Sequence, residues 1–211
     1  MTVALSEFLP VWGFLAANIL SPGPNVLTTI ALSMGSGRAA GFGSASGVGL
    51  GIGMWCLGMT LGVATLFTLV PHSRDVLRVA AIGLLLWFAS RYLMAAYRGW
   101  RARVMRLPVA SEGLHFTDGF RRALLVNVMN PKALTSWIAI LGLFPVARAT
   151  SSDIALLCAG ACMLSFMIHA AYTLAFSTPL AARAYLAAGW VLQAFAGVLF
   201  TGFALRLVAG G

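Results

Sequence analysis

The chain has 211 residues, 60% of them hydrophobic and 9% charged, with a mean hydropathy of +0.92. Soluble domains carry about 25% charged residues, so this composition excludes a water-soluble globular protein and describes one embedded in a bilayer. The net charge of +9 does not indicate nucleic acid: the arginines fall between apolar runs, where cytoplasmic loops collect Lys and Arg.

Six apolar runs meet the length of about 20 residues that crosses a bilayer. They cover roughly 8–32, 42–70, 76–97, 123–146, 154–178 and 187–208. Each is continuous rather than alternating, which predicts helices and not the strands of a barrel. No Lys or Arg precedes Arg38. The first run therefore lacks the basic flank of a cleavable signal and is expected to remain in the protein.

The first run contains Asn18-Ile19-Leu20-Ser21-Pro22-Gly23-Pro24-Asn25. Its prolines leave backbone carbonyls without helical donors. Hydrocarbon holds no water to satisfy them, so a break at this depth must face protein or a protein-lined cavity. Gly23 lets a ligand approach the backbone, and a helix restarting there offers N–H groups to an anion. The second run gathers Gly41, Gly43, Gly47, Gly49, Gly51, Gly53, Gly58 and Gly62. Small residues at such spacing predict close helix packing.

A basic linker over about 98–122 follows the third run. With Arg91 at its margin it holds Arg98, Arg101, Arg103, Arg106, Arg121 and Arg122, and Arg38 and Arg183 share its side. The opposite side has Arg74, Arg78, Arg148 and Arg206. That asymmetry places the linker in the cytoplasm and both termini outside. A re-entrant first segment would instead give five spans and an inside amino terminus. Glu7, Asp75, Asp118 and Asp153 each precede a run, where a carboxylate caps a helix. No acid lies within a run, which argues against a buried carboxylate relay.

The fourth run repeats the first break as Asn127-Val128-Met129-Asn130-Pro131-Lys132. In both copies Asn is followed by two apolar residues, Ser or Asn, then Pro. Lys132 is the sole lysine and reads as the one cation near the centre of a run, which makes it a functional candidate. A desolvated lysine can release its proton, unlike an arginine. Lys132 is thus expected to hold a substrate carboxylate or take part in proton coupling. Asn18, Asn25, Asn127 and Asn130 can donate and accept, which suits a zwitterion or the capping of freed backbone. His169 lies within the fifth run, as a packing residue or a second proton-coupling candidate. Cys56, Cys158 and Cys162 sit in apolar runs and read as small apolar filler. No cofactor or metal site is expected.

The third and sixth runs match along one helical stripe. Leu77, Ala81, Leu84, Phe88 and Arg91 correspond to Leu192, Ala196, Leu199, Phe203 and Arg206. Together with the paired breaks, this predicts one transmembrane domain over 1–211 with repeat A at about 1–97 and repeat B at about 123–211. Three spans per repeat invert the second half. The expected fold is thus an all-α membrane protein of six helices in a 3+3 inverted repeat, with helices one and four broken. Secondary transporters are built this way, with substrate between the breaks.

These features resemble the LysE/RhtB family of amino-acid exporters. The resemblance rests on Ser21-Pro22-Gly23-Pro24-Asn25, the Gly-rich second run, Asn127 through Asn130-Pro131-Lys132, and the closing run with Gly197 and Gly202. It implies a transporter and not an enzyme, exporting amino acids or close derivatives across a bacterial inner membrane on the proton motive force. Its partners would be the amino acid, protons and the lipid bilayer, with homo-oligomerisation left open. Substrate contacts would come from Asn18, Pro22, Gly23, Pro24, Asn25, Asn127, Asn130, Pro131 and Lys132. The chain departs from the family at Ala81-Ile82-Gly83-Leu84-Leu85, Trp55-Cys56 and Leu143-Phe144-Pro145-Val146, differences that bear on substrate. A membrane thiol-redox carrier and a non-transporting scaffold are the alternatives. The first predicts that the three cysteines approach one another.

Overall fold

A computed structural model describes residues 2–70, 72–102 and 113–209. Its helices are α1 (Leu5–Leu20), α2 (Pro24–Gly35), α3 (Gly37–Leu69), α4 (Ser73–Ala102), α5 (Phe116–Val128), α6 (Pro131–Leu143), α7 (Ser151–Ala175) and α8 (Pro179–Ala209). A 3-10 turn at Val146–Arg148 precedes α7. All six apolar runs are helical, and the described residues contain no strand.

By length and composition the helices support four or five crossings. Helices α3, α4, α7 and α8 are each long and apolar enough to cross a membrane. Helices α5 and α6 make a fifth crossing if counted as one span, bent by 63° at its break. Helix α1, with 16 residues, is shorter than a full crossing. The first run divides because Pro22 and Pro24 withhold two amide donors and Gly23 is fully extended, at φ −163° and ψ 177°. Helix α4 runs on to Ala102 and α5 starts at Phe116, so Arg98, Arg101, Arg121 and Arg122 are helical. Arg103 and Arg106 lie outside the described residues.

The acids cap as their positions suggest. Glu7 accepts from the Ala4 amide at 3.1 Å and Asp118 from the His115 amide at 2.9 Å. Asp75 lies in the first turn of α4. Asp153 accepts from the Thr150 amide at 2.9 Å and also from the Thr2 amide at 3.1 Å. With the Arg148–Glu7 ion pair, this fastens the start of the chain to the head of α7.

Helix α3 packs along both α5 and α7, and α4 along α8, while α1 touches α6, α7 and α8. Glycine is required on the α5 face of α3. A Cβ at Gly43 or Gly47 would run into the backbone of Phe116 or Phe120. The opposite end of the helix is unconstrained, with nothing within 4 Å of Gly58 or Gly62. Between α4 and α8, Ala81 and Ala196 are fully buried, with Leu77, Leu84, Leu199 and Phe203 packed around the same core. Aromatic rings knit α1 into this layer, Phe14 stacking on Phe200 at 4.6 Å between centroids.

Candidate functional site

Every helix end leaves carbonyls or amides to be satisfied, and those at the end of α1 find donors on α6 and α7. Helix α1 stops at Leu20. Ser21 returns both its amide and its hydroxyl to the Ala17 carbonyl, at 3.1 and 2.7 Å. The Asn18 carbonyl accepts from Lys132 Nζ at 3.1 Å, and the Leu20 carbonyl from Tyr172 Oη at 3.0 Å. A cation is favoured at the negative end of a helix. Lys132, projecting from α6, thus caps α1.

The second break is tied down from within. The Asn130 side chain accepts from the Lys132 amide at 3.0 Å and so caps α6, with Pro131 as its first residue. Ser136 donates to the Lys132 carbonyl at 2.6 Å and accepts from Asn18 Nδ2 at 2.9 Å. Tyr92, from α4, donates to Asn18 Oδ1 at 3.3 Å, and its ring lies 5.2 Å from Lys132 Nζ. No side chain among the described residues caps α2, whose first-turn amides begin at Asn25.

A small cavity lies where the breaks meet. Asn18, Gly23, Asn25, Asn130, Lys132 and His169 give it polar lining, and Leu15, Ile52 and Trp137 also line it. Its volume is about 40 Å³, room for about three water molecules. Two unmatched acceptors belong to it. His169 is 1% exposed, and its Nδ1 faces the Ser165 carbonyl at 2.9 Å. A carbonyl only accepts, so the ring proton sits on Nδ1 and Nε2 is a bare acceptor. Neither His169 Nε2 nor the buried Asn25 Oδ1 has a partner among the described residues.

Of the residues expected at the site, Asn18, Gly23, Pro24, Asn25, Asn130, Lys132 and His169 surround this cavity. Pro22 lines a neighbouring one. Asn127 stands apart: it is 0% exposed and packs on Gly51, where any Cβ would displace its amide. Trp55 Nε1 donates to the Asn127 carbonyl at 3.3 Å. Tyr92 and Ser136 were not anticipated as site residues, because a hydroxyl in an apolar run carries no signal of its own.

The cysteines come together elsewhere. Cys56 Sγ and Cys158 Sγ lie 2.7 Å apart, both buried and both free thiols. None of the three cysteines lines the central cavity.

Known proteins place the chain among transporters. The profile of the LysE type translocators matches residues 16–211. An uncharacterized membrane protein, YahN, of Escherichia coli is 28% identical over 200 residues, covering 94% of this chain and 87% of its own. Leucine efflux proteins of Salmonella typhimurium and Salmonella typhi are each 29% identical over 212 residues, covering 94% of both chains. No solved structure matches. With its profile spanning nearly the whole sequence and several apolar helices fit to cross a bilayer, the chain is a multi-pass membrane protein that belongs to the LysE type translocators.

Proposed function

We propose that the protein exports an amino acid or close derivative across a bacterial inner membrane in exchange for protons. The observation that carries this reading is the cavity where both breaks meet, lined both by a cation, Lys132, and by His169, whose Nε2 has no partner among the described residues. Lys132 Nζ and the uncapped amides of α2 suit a carboxylate. His169 Nε2 and Asn25 Oδ1 suit an ammonium. An α-amino acid carries both groups, and the leucine efflux relatives support that class of solute.

The same acceptor supplies a coupling mechanism. His169 Nε2 has one lone pair, which takes either a substrate N–H or a proton. A proton arriving from outside displaces the ammonium, and the loss of that proton inside readies the site again. A volume of about 40 Å³ is too small for an amino acid. Access then requires one half to rock against the other.

An inverted 3+3 repeat is the architecture we favour, with the linker in the cytoplasm. Its support lies in the packing. Exchanging α1–α4 with α5–α8 maps the α3–α7 and α4–α8 contacts onto themselves and turns α1–α6 into α2–α5, all of which are present.

Purified protein in proteoliposomes, loaded with leucine, threonine and lysine, tests the function under an imposed pH gradient. Gradient-dependent efflux of at least one is expected. Lys132→Ala abolishes it and Lys132→Arg leaves little, and wild-type rates in both variants would remove Lys132 from the mechanism. His169→Gln is expected to retain downhill flux but lose its response to the gradient. The thiol-carrier reading gains the approach of Cys56 to Cys158, yet thiol exchange needs an accessible sulfur and this pair is buried. A variant with all three cysteines changed to Ser or Ala is expected to transport normally.

A further inference from the structure

A second, larger cavity lies against the first. It measures about 340 Å³ and is lined by Pro22, Trp87, Arg91, Lys132, Thr135 and Gln193, among others. That falls in the range of about 300–1,000 Å³ typical of small-molecule sites. Lys132 lines both cavities. Lys132 is thus common to both, its ammonium held by the Asn18 carbonyl.

Arg91 is the unexpected member. The sequence assigns it to the margin of the basic linker, but it lies well inside the Asp75–Arg101 span. Its neighbour Tyr92 donates to Asn18, which puts Arg91 level with the breaks. A cation at that depth is costly unless something pairs with it. Its guanidinium lies 5.8 Å from the Trp87 ring, with no acidic partner among the described residues. Gln193 from α8 and Thr135 from α6 add polar groups to the same wall.

Building on the export reading above, we propose that this outer cavity is an access subsite that binds the carboxylate of the incoming amino acid through Arg91. The planar guanidinium offers a two-pronged donor to a carboxylate. Trp87 and Phe88 give an apolar surface for the side chain. Lys132 then swings from the Asn18 carbonyl to the carboxylate and draws it into the inner cavity. Arg91 is thus a specificity-determining residue for entry, and Lys132 the group that receives the substrate.

The test is counterflow in phosphatidylcholine proteoliposomes with leucine, threonine and lysine, using wild type, Arg91→Gln and Arg91→Lys. For whichever amino acid wild type carries best, binding of its amide is also measured by thermal stabilisation. Losing a charged hydrogen bond raises the KM of Arg91→Gln about tenfold, with turnover little changed, partial rescue in Arg91→Lys and no penalty for the amide. A wild-type KM in Arg91→Gln, or an equal penalty on the amide, overturns the subsite while leaving the export reading intact. The measurement is repeated with phosphatidylglycerol added, and a penalty confined to those vesicles assigns Arg91 to an anionic lipid headgroup and also overturns it. A wild-type protein that moves none of the three amino acids overturns both readings.

Discussion

The two breaks carry the same sequence pattern and do opposite work. The first is open: Gly23 is extended, α2 begins without a side-chain cap, and Asn25 keeps a buried acceptor without a partner. The second is closed: Asn130 caps its own helix and Lys132 reaches across to finish α1. One break presents bare backbone and the other a cation. On the proposed reading the two together would hold a carboxylate, so that two copies of one pattern would supply complementary parts of a single site.

Removing the cation is the severest way to break that complementarity. Lys132→Ala deletes the donor to Asn18 and the proposed partner of the carboxylate together. Efflux should fall below detection, and the orphaned carbonyl should cost about 1–3 kcal/mol, read as a lower Tm in detergent. Lys132→Arg keeps the charge but is bulkier where Gly23 leaves little room. It should recover most of the Tm and little of the transport.

The open break is tested by filling it. A Cβ at Gly23 would lie 3.2 Å from Lys132 Nζ and 3.8 Å from its Cδ. At φ −163° alanine fits the backbone without strain, so Gly23→Ala acts on the cavity and on Lys132 alone. Transport should drop about tenfold, the cost of roughly 1.4 kcal/mol of lost binding, with Tm unchanged. A variant that transports normally would show that this backbone is not approached by substrate.

The asparagines that open the two motifs sharpen the contrast. Asn18 is bonded to Ser136 and Tyr92, whereas neither amide atom of Asn127 has a partner among the described residues. Asn18→Ala takes the acceptor from the buried Tyr92 hydroxyl and the donor from Ser136, which keeps its bond to the Lys132 carbonyl, and should cost about 2 kcal/mol. Asn127→Ala also removes an unsatisfied buried amide, which offsets part of its packing loss. It should cost about 1 kcal/mol or less. Equal losses of Tm would mean the two positions are equivalent after all.

What the sequence made legible follows from where its chemistry is local. Proline withholds a donor wherever it stands, so both breaks could be read directly, as could the capping acids. The glycine-rich run announced close packing, which Gly43 and Gly47 display against α5. Two things were hidden. The number of crossings depends on how far each helix runs past its break, and that is settled by packing rather than by hydropathy. Membership of the site depends on which helices meet. Asn127 fits the motif yet turns to Gly51, while Tyr92 and Arg91 belong to a stripe whose neighbours no periodicity discloses. Arg91 did leave a trace: it interrupts an apolar run, and its assignment to the linker margin obscured that.

The smallest effect concerns Asn130, and it separates a cap from a ligand. In the structure its side-chain oxygen is spent on the Lys132 amide, and the residue is 7% exposed at the edge of the cavity. Serine caps a helix nearly as well as asparagine, whereas alanine costs about 1 kcal/mol. If Asn130 serves only the second break, Asn130→Ser should match wild type in Tm and KM, and Asn130→Ala should lose stability at unchanged KM. If Asn130 instead touches substrate, both variants raise KM together, because serine is too short to replace the amide across the cavity. The first outcome keeps the closed break closed. The second would make it as open as the first, and the two halves would then share the substrate rather than divide its groups between them.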